Sequence, residues 1–181
     1  MGLTAEVARE LLMDAEPEGG SRAMQGPEAT GEHMDHPGRR QMLGWAWLAL
    51  ALALALHVAD EATHDFLSVY NPAARAIRAR LGLPFPPVFS FRVWVGGLAL
   101  AVLALLLCTP LAFSGSRKLA WLGVALGVIM VGNGAGHIIS FALAGRALPG
   151  LMSSPLLVVC ALVLVFAAVR VLRGGAVERP G

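Results

Sequence analysis

Long, nearly uncharged apolar blocks constrain this chain more than any other feature. From Leu43 to Leu56 every residue is Leu, Ala or Trp except Gly44, and comparable blocks recur three times downstream. A helix rising about 1.5 Å per residue needs roughly 20 such residues to cross a hydrocarbon core of about 30 Å. The blocks predict four spans, about Met42 to Phe66, Phe91 to Leu111, Leu119 to Leu143 and Pro155 to Leu172. Trp45, Trp47 and Trp121 stand near span starts, where an amphipathic ring suits the headgroup level. Lipid offers no partner to backbone N–H and C=O groups, so only helices or a closed barrel can cross, and the short alternating segments of a barrel are absent. The expected fold class is all-α, a four-helix transmembrane bundle over residues 41–173, in line with an apolar content of 56%.

The flanks differ in character. Residues 1–40 are rich in Gly, Pro, Glu, Ser and Met with too few apolar positions for a core, and are expected to form a disordered tail; a short helix at Thr4 to Met13 is one local exception. Residues 174–181 are expected to be a short C-terminal tail. The tail's two histidines, His33 and His36, read as solvated groups, and its basic pair follows a long polar stretch, unlike a secretory signal. Basic residues favour one orientation: Arg39, Arg40, Arg117, Lys118, Arg170, Arg173 and Arg179 share one side, against Arg75, Arg78, Arg80, Arg92 and Arg146 on the other. Seven against five places both termini in the cytoplasm and implies a multi-pass protein of the cell membrane. A net charge of +2, with no basic block interleaved with aromatics, excludes a nucleic-acid partner and leaves the lipid bilayer as the expected one. Cys108 and Cys160 fall near opposite membrane faces and are expected to be unpaired, small buried apolar residues.

The first block ends in "LHVADEATHDFL", with two His, two Asp and one Glu within nine positions. At 100° per residue, with His57 at zero, Glu61 lies at about 40°, His64 at about −20° and Asp60 at about −60°. Asp65, at about 80°, is marginal. Imidazole and carboxylate groups at i, i+3, i+4 and i+7 on one helix face are how bundles build metal sites in their cores. In "VGNGAGHIISFALAG" of the third block, Asn133 and His137 stand four apart and share a face, and the flanking Gly132, Gly134 and Gly136 leave room for a neighbouring helix. His57 and Glu61 lie 16 and 20 residues beyond Gln41, and Asn133 and His137 lie 15 and 19 beyond Lys118. Both pairs then sit roughly 22 to 30 Å from the entry face, in the exit half of the membrane.

Ionisable groups at that depth cost about 2.5 to 3.5 kcal/mol each on insertion scales and usually face partners in a bundle interior. A divalent cation is one such partner: His57, Glu61, His64 and His137 are the expected metal ligands, with Asp60 and Asn133 as supporting groups or ligands. Imidazole with carboxylate suits Zn²⁺, Fe²⁺ or Mn²⁺ without choosing among them. The competing readings are the wetted end of the first helix and a polar network without metal. With a metal, Asp60 and Glu61 are the candidate catalytic groups: a bound water ionises near neutral pH and Asp60 takes its proton, giving hydrolysis of a lipophilic substrate. A redox metal would instead serve an oxidase. The rival class is a non-catalytic carrier, or a metal- or proton-responsive module, in which His57 and Glu61 titrate or bind and move a helix.

With these residues in view, the chain resembles the HXXEE family of small integral membrane proteins. The resemblance rests on "HVADE", His57 to Glu61, on a later His in a downstream span and on "ALPGLMSSP", Ala147 to Pro155, and extends over roughly Gln41 to Leu172. Asp60 stands where the family has its first Glu; its shorter stem favours Glu61 over Asp60 as a direct ligand. The resemblance implies no established activity. Between the first two spans, Ala73 to Leu81 sets Arg75, Arg78 and Arg80 beside Ile77 and Leu81, the pattern of a short interfacial helix able to cover the cluster. A plain connector is the equal alternative.

Overall fold

The structure, a computed structural model, describes residues 36–174. Among them are six helices and no strand: α1 His36–Thr63, α2 Phe66–Leu81, α3 Phe91–Leu107, α4 Thr109–Phe113, α5 Arg117–Ala144 and α6 Ser154–Gly174. Three are long and apolar enough to cross a membrane: Pro37–Thr63 of α1, α5 and α6. The segment expected as the second span is shorter. α3 ends at Leu107 after 17 residues, and a five-residue α4 follows. Pro110, which has no N–H to offer the α3 ladder, explains the interruption.

The tail expected over residues 1–40 lies outside the described residues except at its end, where α1 already begins at His36 with Pro37 in its first turn. The helix expected at Thr4 to Met13 and the expected C-terminal tail beyond Gly174 also lie outside them. At its other end α1 stops at Thr63, three residues before the expected limit. Asp65 reverses the chain in the left-handed region at φ 53°, a conformation that Asp tolerates better than most residues.

Two buried stripes organise the bundle. On α1, Leu43, Trp47, Leu50, Leu54, His57 and Glu61 are buried at alternating spacings of four and three. On α6, Ser154, Leu157, Ala161, Leu164 and Ala168 repeat the same rhythm. Such spacing keeps one seam of a helix against a neighbour along its length. α6 packs against both α1 and α5, and α1 also packs against α3 and α4. Lipid tails are as apolar as Leu, so close packing and buried hydrogen bonds hold the helices together. Trp47 supplies one such bond, its Nε1 donating to the Leu105 carbonyl at 2.8 Å. The α1 seam therefore runs from Leu and Trp directly into His57 and Glu61.

One end of the bundle gathers the starts of α1 and α5 with the end of α6. Arg117 Nη1 donates to the Leu172 carbonyl at 3.3 Å, and a Cβ on Gly115 would strike the Arg40 side chain. The polar cluster lies at the other end, as expected from its depth.

Candidate functional site

His57 and Glu61 point inward because the α1 seam does. His57 is 1% exposed, Glu61 4% and His137 of α5 9%. Glu61 Oε1 lies 3.1 Å from His137 Nε2 and 3.6 Å from His57 Nε2, and the two imidazoles stand edge to face with centroids 5.0 Å apart. The three ligand atoms lie within 4.8 Å of one another. A tetrahedral ion with ligands at about 2.0–2.2 Å requires ligand atoms roughly 3.4 Å apart. Two of the three separations already meet that need. The equal depth read from the sequence thus brings His137 to Glu61.

The tautomer of His57 follows from its neighbours. Ser153, just before α6, donates its single hydroxyl hydrogen to Asp60 Oδ2 at 2.7 Å, shorter than its alternative contact with the Gly150 carbonyl at 3.2 Å. Its oxygen must then accept from His57 Nδ1, 2.9 Å away. With the hydrogen on Nδ1, the Nε2 lone pair faces the cluster, where Asn133 Nδ2 donates to it at 3.2 Å. A ligating His in metal sites almost always has its other ring nitrogen held by such a partner. The Ser153 backbone N–H also donates to Asp60 Oδ2, at 3.1 Å. The Asp60 carboxylate therefore sits at the start of α6, where negative charge is favoured.

The remaining predicted residues are placed differently. Asp60 is turned toward Ser153 and His64, away from the faces of His57 and His137 that share Glu61. It holds Ser153 through both the hydroxyl and the backbone N–H. His64 is not brought to the cluster: its side chain is 63% exposed, with Nδ1 3.0 Å from Asp60 Oδ1 and 2.8 Å from the Asp60 carbonyl. The helical phase of His64 is right, but α1 has ended one residue earlier, and the ring folds back over the last turn.

Among the flanking glycines, only Gly134 permits close helix approach, and its neighbour is α6: an added Cβ would come 2.6 Å from Val158 Cγ2 and 3.1 Å from the Ser154 carbonyl. Gly132 and Gly136 have nothing within 4 Å of that position.

Two positions at the site carried no expectation, Ser153 and Gly150. Gly150 has φ +84°, and a Cβ there would lie 2.7 Å from His137 Cε1 and 3.0 Å from Glu61 Cγ. Only a residue without a side chain lets this loop close over the cluster. The signal was present as "SSP", Ser153 to Pro155, since Ser followed by Pro marks a helix start.

The arginine-bearing connector is a helix, but it begins at Phe66, seven residues before the expected start. Its first turn reaches the cluster: the Phe66 ring lies 5.8 Å from His137 and 5.7 Å from Trp94. Asn71 fixes the helix to the following loop, donating from Nδ2 to the Phe89 carbonyl at 2.9 Å and accepting the Phe89 N–H at 3.0 Å. A cavity of about 380 Å³ opens between these elements, walled by Phe66, Tyr70, Phe89, Val93 and Trp94, with Glu61 and Asn133 on its border. Cys108 and Cys160 are free, as expected, but half-buried where burial was expected.

The profile of a family described as "Protein of unknown function with HXXEE motif" matches residues 47–165, about two thirds of the chain, and the chain belongs to that family. No curated protein and no solved structure matches it.

Proposed function

We propose that the protein holds one divalent metal ion between His57, Glu61 and His137 and uses it to hydrolyse a lipophilic substrate. The observation that carries this reading is the buried trio of ligand atoms within 4.8 Å, set beside an aromatic-walled cavity. Two His and one carboxylate are the protein ligands of several hydrolytic zinc centres, where a fourth position is left for water. The same set serves non-haem iron, so the metal decides between hydrolysis and oxidation. Hydrolysis needs only water: its oxygen bonds to the acyl carbon, the carbon–oxygen ester bond breaks, and the alcohol leaves with a proton. Ser153 and Asp60 hold the His57 ring in the ligating tautomer; a metal on His57 Nε2 would take the lone pair to which the Asn133 amide donates, freeing that amide to hydrogen-bond a group bound at the cluster.

Metal analysis of detergent-purified protein tests this directly. About one zinc, iron or manganese per chain is expected in the wild type and little in His57→Ala or Glu61→Ala. A wild type purified without stoichiometric metal, and unable to take it up, would sink the proposal.

The same reading places the protein as a four-crossing bundle in the cell membrane with cytoplasmic termini. α3 and α4 together run from Phe91 to Phe113, about 34 Å of helix. A thiol-reactive probe that cannot cross membranes should label Arg146→Cys in intact cells but Ser114→Cys only after lysis. The reverse pattern would invert the topology.

A further inference from the structure

The glycines of the spans serve two ends. Gly127 and Gly134 of α5 are close-packing positions, where a Cβ would come 2.5 Å from Val165 Cγ2 or 2.6 Å from Val158 Cγ2 of α6. Gly97 of α3, and Gly132 and Gly136 of α5, meet nothing within 4 Å. Glycine inside a helix costs about 1 kcal/mol relative to alanine, and no protein neighbour accounts for these three.

Each of the three lines a cavity. Gly97 lines the 380 Å³ cavity bordered by Glu61 and Asn133. Gly132 and Gly136 line a second, of about 260 Å³, together with His137 and Ser140. Phe66 and Asn133 belong to both. The two cavities therefore lie on either side of Phe66 and Asn133 and differ in character. The larger has aromatic and aliphatic walls; the smaller carries the hydrogen-bonding groups of Asn133, His137 and Ser140. Val93, on the rim of the larger one, is 65% exposed, so that cavity borders the bundle surface where lipid chains run.

We propose that the larger cavity is the binding site of a membrane amphiphile. Its hydrocarbon chain lies along Gly97 and Trp94, and its uncharged ester junction lies at Asn133 and Glu61. The cavity's volume of about 380 Å³ falls within the range of about 300–1,000 Å³ usual for small-molecule sites. An acyl ester fits its two ends, since the chain needs only apolar contact and the carbonyl needs one donor, which the Asn133 amide supplies. This deepens the metal-site reading by naming the substrate class, and rests on that reading for the chemistry; occupancy by the chain needs no metal.

Trp94, 8% exposed, reports on the larger cavity. Its emission is taken as the difference between wild type and Trp94→Phe in vesicles of dibrominated phosphatidylcholine and of the unbrominated lipid, with chelator present. Quenching of roughly two-fold or more is expected, because a pocketed chain keeps about 70–90% of its surface against the walls. Gly97→Leu should abolish it by filling the cavity. Gly96→Leu, whose surroundings are equally open but which does not line the cavity, should leave it intact. If Gly97→Leu does not reconstitute, Gly97→Val reads the same cavity. Unquenched Trp94 in the wild type, or equal effects of the Gly96 and Gly97 variants, would overturn the proposal. Metal content measured on the same purified protein before chelator is added separates the two failures: bound metal without quenching removes the lipid site alone, and quenching without metal removes the metal site alone.

Discussion

Ser153→Ala removes one oxygen from the buried link between α1 and α6, and the structure sets the size of the effect. The wild-type hydroxyl donates to Asp60 Oδ2 at 2.7 Å and accepts from His57 Nδ1 at 2.9 Å. Without it, the His57 N–H has no acceptor in a place where the residue is 1% exposed. A buried donor left unsatisfied costs about 1–3 kcal/mol. Loss of the outer partner of a ligating His typically weakens metal binding by about 10–100-fold, or about 1.4–2.8 kcal/mol. Both figures describe one lost oxygen and are not additive. The assay is a zinc titration in detergent against a chromophoric competitor, with thermal unfolding of the metal-free protein alongside. Ser154→Ala is the control, because the Ser154 hydroxyl, equally buried, donates to the Gly150 carbonyl at 2.6 Å and makes no bond to His57. Ser154→Ala should lose stability and keep its affinity, whereas Ser153→Ala should lose both. Ser153→Thr, which restores the hydroxyl, should recover binding. If Ser153→Ala binds zinc as tightly as wild type, Ser153 does not set the tautomer and the assignment of His57 Nε2 as a ligand loses its support.

Three other outcomes are expected. Gly150→Ala places a Cβ 2.7 Å from His137 Cε1 at a positive φ, which should cost roughly 1–3 kcal/mol of backbone strain and empty the site; unchanged metal content in a folded variant would contradict the loop packing. Gly134→Leu should prevent α5 from docking on α6 and abolish recovery of monodisperse protein, while Gly136→Leu, with open space around it, should purify normally; size-exclusion chromatography in detergent distinguishes them. His64→Ala breaks exposed contacts with Asp60 and Thr63, the ion pair typically worth at most about 1 kcal/mol, and should retain full metal content; loss of metal would return His64 to the ligand set.

Helical phase and depth were legible in the sequence because both depend only on counting residues along a regular helix. They placed His57, Glu61, Asn133 and His137 together before any contact was visible. Counting failed where the helix stopped: His64 has the right phase, but α1 ends at Thr63, and phase has no meaning beyond a terminus. Ser153 and Gly150 were missed for a related reason. They belong to a loop, without a repeat to project from, and their roles depend on which helix end lies opposite. Pro110 was likewise visible as a residue but not as the point where α3 and α4 part. What broke each expectation was an element boundary, the property that local sequence specifies least sharply.

The same helix, α5, shows why a site forms at this place and not elsewhere along the bundle. Its α6-facing side carries Gly123, Gly127 and Gly134, each within ordinary contact distance or closer of α6 atoms once a Cβ is considered. That seam draws α5 onto α6, and α6 in turn packs along α1. α1 and α5 are thus held by a shared neighbour and reach each other through side chains: His57 and Glu61 from one, Asn133 and His137 from the other. On its other side α5 offers Gly132 and Gly136 with nothing against them. A rigid back and an open front follow from where one helix spends its glycines. Filling the front, as in Gly136→Leu, should alter what the site admits while sparing the fold; filling the back should dismantle the fold that holds the histidines in place.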